Sequence, residues 1–235
     1  MTTLKTHGLR IAVHIGSLIP LAALIWGYFR NELTVNPIQA ITFRTGKTAL
    51  ILLVLSLACT PINTLFGFRQ ALKVRRALGL YAFLYAALHF FVFVGLDYGF
   101  DPGLLKEAIF EKRYALVGFA AFLILLPLAI TSTKGWMKRL GRLWKKLHQW
   151  VYIAALLVIV HFVWLVKADI REPLTYGAVV ALLLMFRIPR VGQVVSGFRN
   201  RIKVTVDRND RTAAPALARR CRRRRATKPR PVNGS

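Results

Sequence analysis

Leu-His-Gln-Trp-Val-Tyr-Ile-Ala-Ala-Leu-Leu-Val-Ile-Val-His-Phe-Val-Trp, residues 147–164, decides the fold. No charged residue stands between its two histidines, and the apolar run continues to Val166. A helix needs about 20 mostly apolar residues to cross a bilayer. Working outward from this block at 150–166, similar ones lie at 11–29, 48–66, 77–96, 114–133 and 174–188. The expectation is an all-α integral membrane protein with six transmembrane helices. The first block is too long for a cleaved signal and has no small-x-small site after it. Pro20, Pro61 and Pro127 fall inside blocks, where buried neighbours tolerate a kink. No repeat with a period of 20–50 residues is visible.

Composition agrees. Of 235 residues, 55% are hydrophobic and 19% charged, with mean hydropathy +0.46. Soluble domains average roughly 45–50% apolar and about 25% charged, so a water-soluble globule is excluded. The net charge of +26 lies between and after the apolar blocks rather than on a folded surface, which argues against nucleic acid as a partner. Cys59 and Cys221 make no disulfide framework, and no CxxC, CxxCH or zinc spacing is present.

Orientation follows from the loops. Segments 1–10, 67–76, 134–149 and 187–235 hold 27 basic residues against two acids, whereas 30–47, 97–113 and 167–173 hold eight against seven. Basic residues in short loops stay cytoplasmic, so both termini are expected in the cytoplasm. Residues 1–10 form a stub, 11–190 the helical domain, and 191–235 a basic tail, expected to be disordered and drawn to anionic membrane lipids.

Ionisable side chains inside a membrane are costly and often functional. The intramembrane histidines are His14, His89 and His161, with His148 at the mouth of the fifth block and His7 in the stub. His89 lies 13 residues beyond Arg76 and His161 15 beyond Lys146, both roughly 20 Å deep at 1.5 Å per residue. Two imidazoles at equal depth on different helices can ligate one haem iron from both faces, a saturated arrangement suited to electron transfer. His14 and His148 match near the opposite leaflet and make a candidate second pair, although an ideal helix would turn His148 and His161 about 140° apart. Arg75 and Arg76, paired at a helix start, are candidates for binding a flavin phosphate or a haem propionate. A packing role for single histidines, and an anchoring role for the arginines, stand as the alternatives. No Walker loop, GxSxG, HExxH or dinucleotide fingerprint occurs, so electrons must come from a quinol or a separate reductase.

Several stretches are similar to one family in order along the chain: ThrGlyLysThrAlaLeu at 45–50, ThrProIleAsn at 60–63, ArgArgAlaLeuGlyLeu at 75–80, LysArgTyrAlaLeuValGly at 112–118, ThrSerThr at 131–133, and 147–164 itself. They resemble MsrQ (formerly YedZ), the membrane subunit of the bacterial periplasmic methionine sulfoxide reductase system, over about residues 7–190. That family sits among ferric reductase-like transmembrane haem proteins. The resemblance implies haem b, one or two per chain, an associated flavin mononucleotide (FMN), and a place in the bacterial inner membrane. It also implies electrons drawn from the quinone pool, or from a cytosolic flavin reductase, and passed to a periplasmic molybdopterin catalytic subunit of the MsrP type. Larger relatives such as NADPH oxidases carry two histidines on the third helix and two on the fifth. Here His89, His148 and His161 remain, and the other third-helix position falls around Arg75 and Arg76, which makes His14 a candidate substitute. Rival readings are a stand-alone ferric or quinone reductase and a non-redox transporter or scaffold.

Overall fold

The computed structural model describes residues 2–166 and 169–187, with side chains from His7 onward. The expected basic tail lies outside the described residues. Nine α-helices and no strand occur among them. They are α1 (Thr2–Phe29), α2 (Pro37–Phe66), α3 (Arg69–Val92), α4 (Pro102–Glu111), α5 (Arg113–Ile130), α6 (Lys134–Leu140), α7 (Arg142–His148), α8 (Val151–Leu165) and α9 (Arg171–Met185), with a π-turn at Phe93–Asp97.

Local chemistry sets the ends. Asn36 caps α2 by accepting from the Gln39 amide, Pro37 opens the helix, and Gly67 closes it at φ 69°, where a residue without Cβ is unstrained. Asp101 caps α4 through the amides of Gly103 and Leu104 ahead of Pro102. Thr42, Thr45 and Thr48 return their hydroxyls to carbonyls one turn back, which satisfies them within the helix.

Five segments are long and apolar enough to cross a membrane among the described residues: His7–Phe29, Pro37–Phe66, Arg69–Asp97, Arg113–Ile130 and Arg142–Leu165. The sixth block is present as α9, at 15 residues. The fifth runs through one tightened turn. Gln149 and Trp150, both in the right-handed helical region, join α7 to α8 through bonds three residues back, so His148 and His161 share the span Arg142–Leu165.

Two antiparallel hairpins, α2–α3 and α5–α8, form the frame. Leu53 and Leu57 of α2 bury against Val74, Leu78 and Tyr85 of α3, with Ala155 of α8 and Val180 of α9 in the same core. Small residues carry the close approaches, as membrane packing requires: Ala154, Ala155, Ala121 and Ala82 are all almost fully buried. Phe90 stacks on Phe122 at 4.6 Å and on Phe119 at 5.9 Å, joining α3 to α5. Lys47 and Glu172, 2.5 Å apart, tie α2 to α9. α1 packs outside, held to α3 by Tyr85, whose hydroxyl donates to the Ser17 carbonyl at 2.7 Å.

Candidate functional site

His89 on α3 and His161 on α8 face each other across the frame, ring centres 6.1 Å apart and planes at 83°. Each ring is held in the same way. His89 Nδ1 lies 2.9 Å from the Thr42 carbonyl oxygen on α2, and His161 Nδ1 lies 2.7 Å from that of Tyr114 on α5. A carbonyl only accepts, so both Nδ1 atoms carry the proton and each Nε2 keeps its lone pair.

One turn along each supporting helix stands a glycine. A Cβ on Gly46 would come 3.0 Å from His89 Nδ1, and one on Gly118 would come 2.6 Å from His161 Nδ1. The imidazoles therefore occupy the space that side chains at 46 and 118 would fill. The two halves share one numbering offset: Thr42, Gly46 and His89 become Tyr114, Gly118 and His161 on adding 72.

A metal–imidazole bond of about 2.0–2.1 Å, plus about 1.1 Å from ring centre to nitrogen, puts two axial imidazoles on one ion roughly 6.3 Å apart. The 6.1 Å separation fits. Among the described residues no group of three or more His, Cys, Asp or Glu could hold a metal. The donor set therefore suits a metal whose other ligands come from a macrocycle, and not a tetrahedral zinc.

The other predicted residues lie apart. His14, on the exposed face of α1, has its Nδ1 2.9 Å from the Tyr81 hydroxyl of α3. His148 stacks on Trp144 at 4.0 Å, with Nδ1 on the Trp144 carbonyl and Nε2 3.4 Å from Ser132 Oγ. No described contact joins His14 to His148, because α1 packs on α2 and α3 while the partners of His148 belong to the α5 end and α7. The described contacts bring His89 and His161 together and give His14 and His148 different partners.

Arg75 and Arg76 diverge, as helix neighbours about 100° apart must. Arg75 donates to Thr60 Oγ1 at 3.2 Å, whereas Arg76 faces out toward α1 beside His14 and Lys73.

Relatives of the chain are known. The Ferric reductase like transmembrane component model matches residues 45–159, which include Gly46, His89, Gly118 and His148. The protein-methionine-sulfoxide reductase heme-binding subunit MsrQ of Xanthomonas axonopodis pv. citri is 43% identical over 194 residues, 80% of this chain and 88% of the relative. The chain belongs to the MsrQ family. MsrQ proteins of Xanthomonas campestris pv. campestris (45% over 186 residues, 76% of this chain and 85% of theirs) and of Rhodospirillum rubrum (43% over 190 residues, 80% and 91%) agree. No solved structure matches the chain. Membership in the MsrQ family and the apolar helices make it a multi-pass membrane protein.

Arg187 is the residue that sequence reasoning passed over, because it reads as the first charge of the basic tail. Its guanidinium takes the Leu57 carbonyl at 3.4 Å, shares Thr60 Oγ1 with Arg75 at 3.1 Å, bonds the Tyr152 hydroxyl and lies 4.9 Å over that ring. The Leu57 carbonyl is the one Pro61 leaves without its helical amide. Proline in the second block is the signal that some donor must stand there.

Proposed function

We propose that this chain is a haem b electron-transfer subunit. It serves a periplasmic molybdopterin methionine sulfoxide reductase of the MsrP type that repairs oxidised envelope proteins. It spans the bacterial inner membrane with six helices and both termini in the cytoplasm. Residues 11–190 make the haem domain, and 191–235 a cytoplasmic tail against anionic lipid. The observation that carries the reading is the His89–His161 pair, each ring fixed by a carbonyl and seated against a glycine. The names of the relatives, heme-binding subunits of a protein-methionine-sulfoxide reductase, support it.

His89 and His161 would hold the haem iron. A haem b held between them would supply one-electron transfer. The chain does the rest. The carbonyls of Thr42 and Tyr114 hold Nδ1–H and so aim the basic Nε2 at the centre, the outer-shell role that fixes tautomer and orientation. Gly46 and Gly118 let α2 and α5 close behind the rings. The phenylalanine stack between α3 and α5 seals that flank with apolar surface. His148 supplies an imidazole at the opposite leaflet for any second haem there. Electrons come from the quinone pool or a cytosolic flavin reductase, and FMN is a carrier on that side.

The test is reconstitution of the full chain with a molybdopterin sulfoxide reductase and a reduced quinone analogue in vesicles. Sulfoxide reduction that requires both proteins is the expected result. Quinol oxidation or ferric reduction at the same rate without the catalytic subunit would favour a stand-alone reductase and overturn the assignment.

A further inference from the structure

Where the first turns of α1 meet the start of α3, two helix faces come together carrying only basic groups. Arg10 and His14, one turn apart on α1, and Lys73 and Arg76, nearly one turn apart on α3, line a cavity of about 240 Å³. Its remaining walls are apolar, with Val13 and Ala77 among them. All seven carboxylates of the described residues lie in 30–36, 97–112 and 169–172, at the other end of the bundle. Among the described residues, the only ion pairs are Arg30 with Glu32 and Lys47 with Glu172.

Lys73 and Arg76, like charges nearly one turn apart, destabilise their helix, and the penalty grows beside a low-dielectric bilayer. The groove keeps its shape nonetheless. His14 is bonded to Tyr81 and meets that ring edge-on at 5.6 Å, which pins α1 at this spacing. Ile11, Ile15 and Ile19 are more than half exposed on the same helix, so α1 runs beside the cavity with its apolar flank open to acyl chains. A soluble phosphate would engage the cations and leave the apolar walls bare. A phosphate carried on an acyl chain satisfies both, and basic pockets between membrane helices take acidic headgroups on these grounds.

We propose that this groove binds one acidic glycerophospholipid, its phosphate among Arg10, Lys73 and Arg76 and its acyl chain along Val13 and Ala77. The lipid neutralises the basic cluster and fastens α1 to α3. This site rests on insertion in a bilayer, and its success or failure is independent of the haem reading.

The test uses the full chain in nanodiscs of phosphatidylcholine with a minor share of phosphatidylglycerol, released and weighed by native mass spectrometry. The wild type should keep one phosphatidylglycerol that the double variant Lys73→Gln, Arg76→Gln loses. At about 1 kcal/mol per basic residue, preference for phosphatidylglycerol should fall about thirtyfold. Removing the same charge elsewhere, with Lys138→Gln and Lys145→Gln, should change nothing. Arg76→Lys keeps the charge and should keep the lipid, which separates a lost site from a misfolded variant. Equal retention in all variants would reduce the cluster to topology anchors and overturn the proposal. Displacement by FMN or inorganic phosphate would make it a soluble-phosphate site. Loss of haem from the double variant would make it a propionate site. Either result would also overturn the proposal.

Discussion

Replacing Gly118 by alanine tests how tightly the histidine site is built. The added methyl would lie 2.6 Å from His161 Nδ1, 2.8 Å from Cε1 and 3.2 Å from Cγ, where ordinary contact begins at 3.4 Å. The ring must retreat by about 0.8 Å, and a ligand set tolerates roughly 0.5 Å. The retreat also stretches the 2.7 Å bond to the Tyr114 carbonyl toward the limit of a hydrogen bond. Gly46→Ala asks for less: its methyl meets His89 Nδ1 at 3.0 Å, a displacement of about 0.4 Å, within that tolerance. Gly79→Ala is the control, since its methyl would meet only Ser56 Oγ at 3.4 Å. Overpacking should cost Gly118→Ala about 1–3 kcal/mol. Its low-spin haem spectrum should be lost or replaced by a high-spin one, with Gly46→Ala near wild type and Gly79→Ala unchanged. Haem per chain and the visible and paramagnetic resonance spectra of purified protein read this out. A Gly118→Ala protein with wild-type haem content and a wild-type low-spin signal would refute the seat-and-carbonyl reasoning.

Three further outcomes follow from the same geometry. His14→Ala should leave haem content unchanged, because no second histidine stands near it; a lost haem equivalent on pyridine haemochrome assay would show that the ring is a ligand. Arg187→Met takes the donor from the Leu57 carbonyl and the Tyr152 hydroxyl, while Thr60 keeps Arg75, a cost of about 1–3 kcal/mol. Its melting temperature in detergent should drop by several degrees while the spectrum of the His89–His161 site stays the same, and an unchanged melting curve would contradict the role given to Arg187. Alkaline phosphatase fused after Gly99 should be active and after Gly141 inactive, the reverse of a fluorescent protein at the same points; the opposite pattern would invert the orientation.

The helices and their histidines were legible because both signals are compositional. Apolar blocks locate the spans, and equal depth along two of them pairs His89 with His161. What stayed hidden depends on rotation about the helix axes. Arg75 and Arg76 are neighbours in sequence and therefore point apart, one to Thr60 and one to the α1 groove. His14 turns to Tyr81 and His148 to Trp144 and Ser132. The repeat escaped because its period is 72 residues and its marks are few: a glycine, a histidine and a carbonyl that any residue can supply, as Thr42 and Tyr114 do. Gly46 and Gly118 each precede their histidine by the same interval, and that spacing was the readable trace of the seats.

The most direct test of the central claim is the paramagnetic resonance spectrum of the purified haem-replete protein, compared with His89→Ala and His161→Ala. The rings stand at 83° to each other, so the wild type should give a low-spin ferric signal of the highly anisotropic kind that crossed axial imidazoles produce. Each single variant should lose that signal, while His14→Ala keeps it. A wild-type low-spin signal that survives in both His89→Ala and His161→Ala would contradict the account.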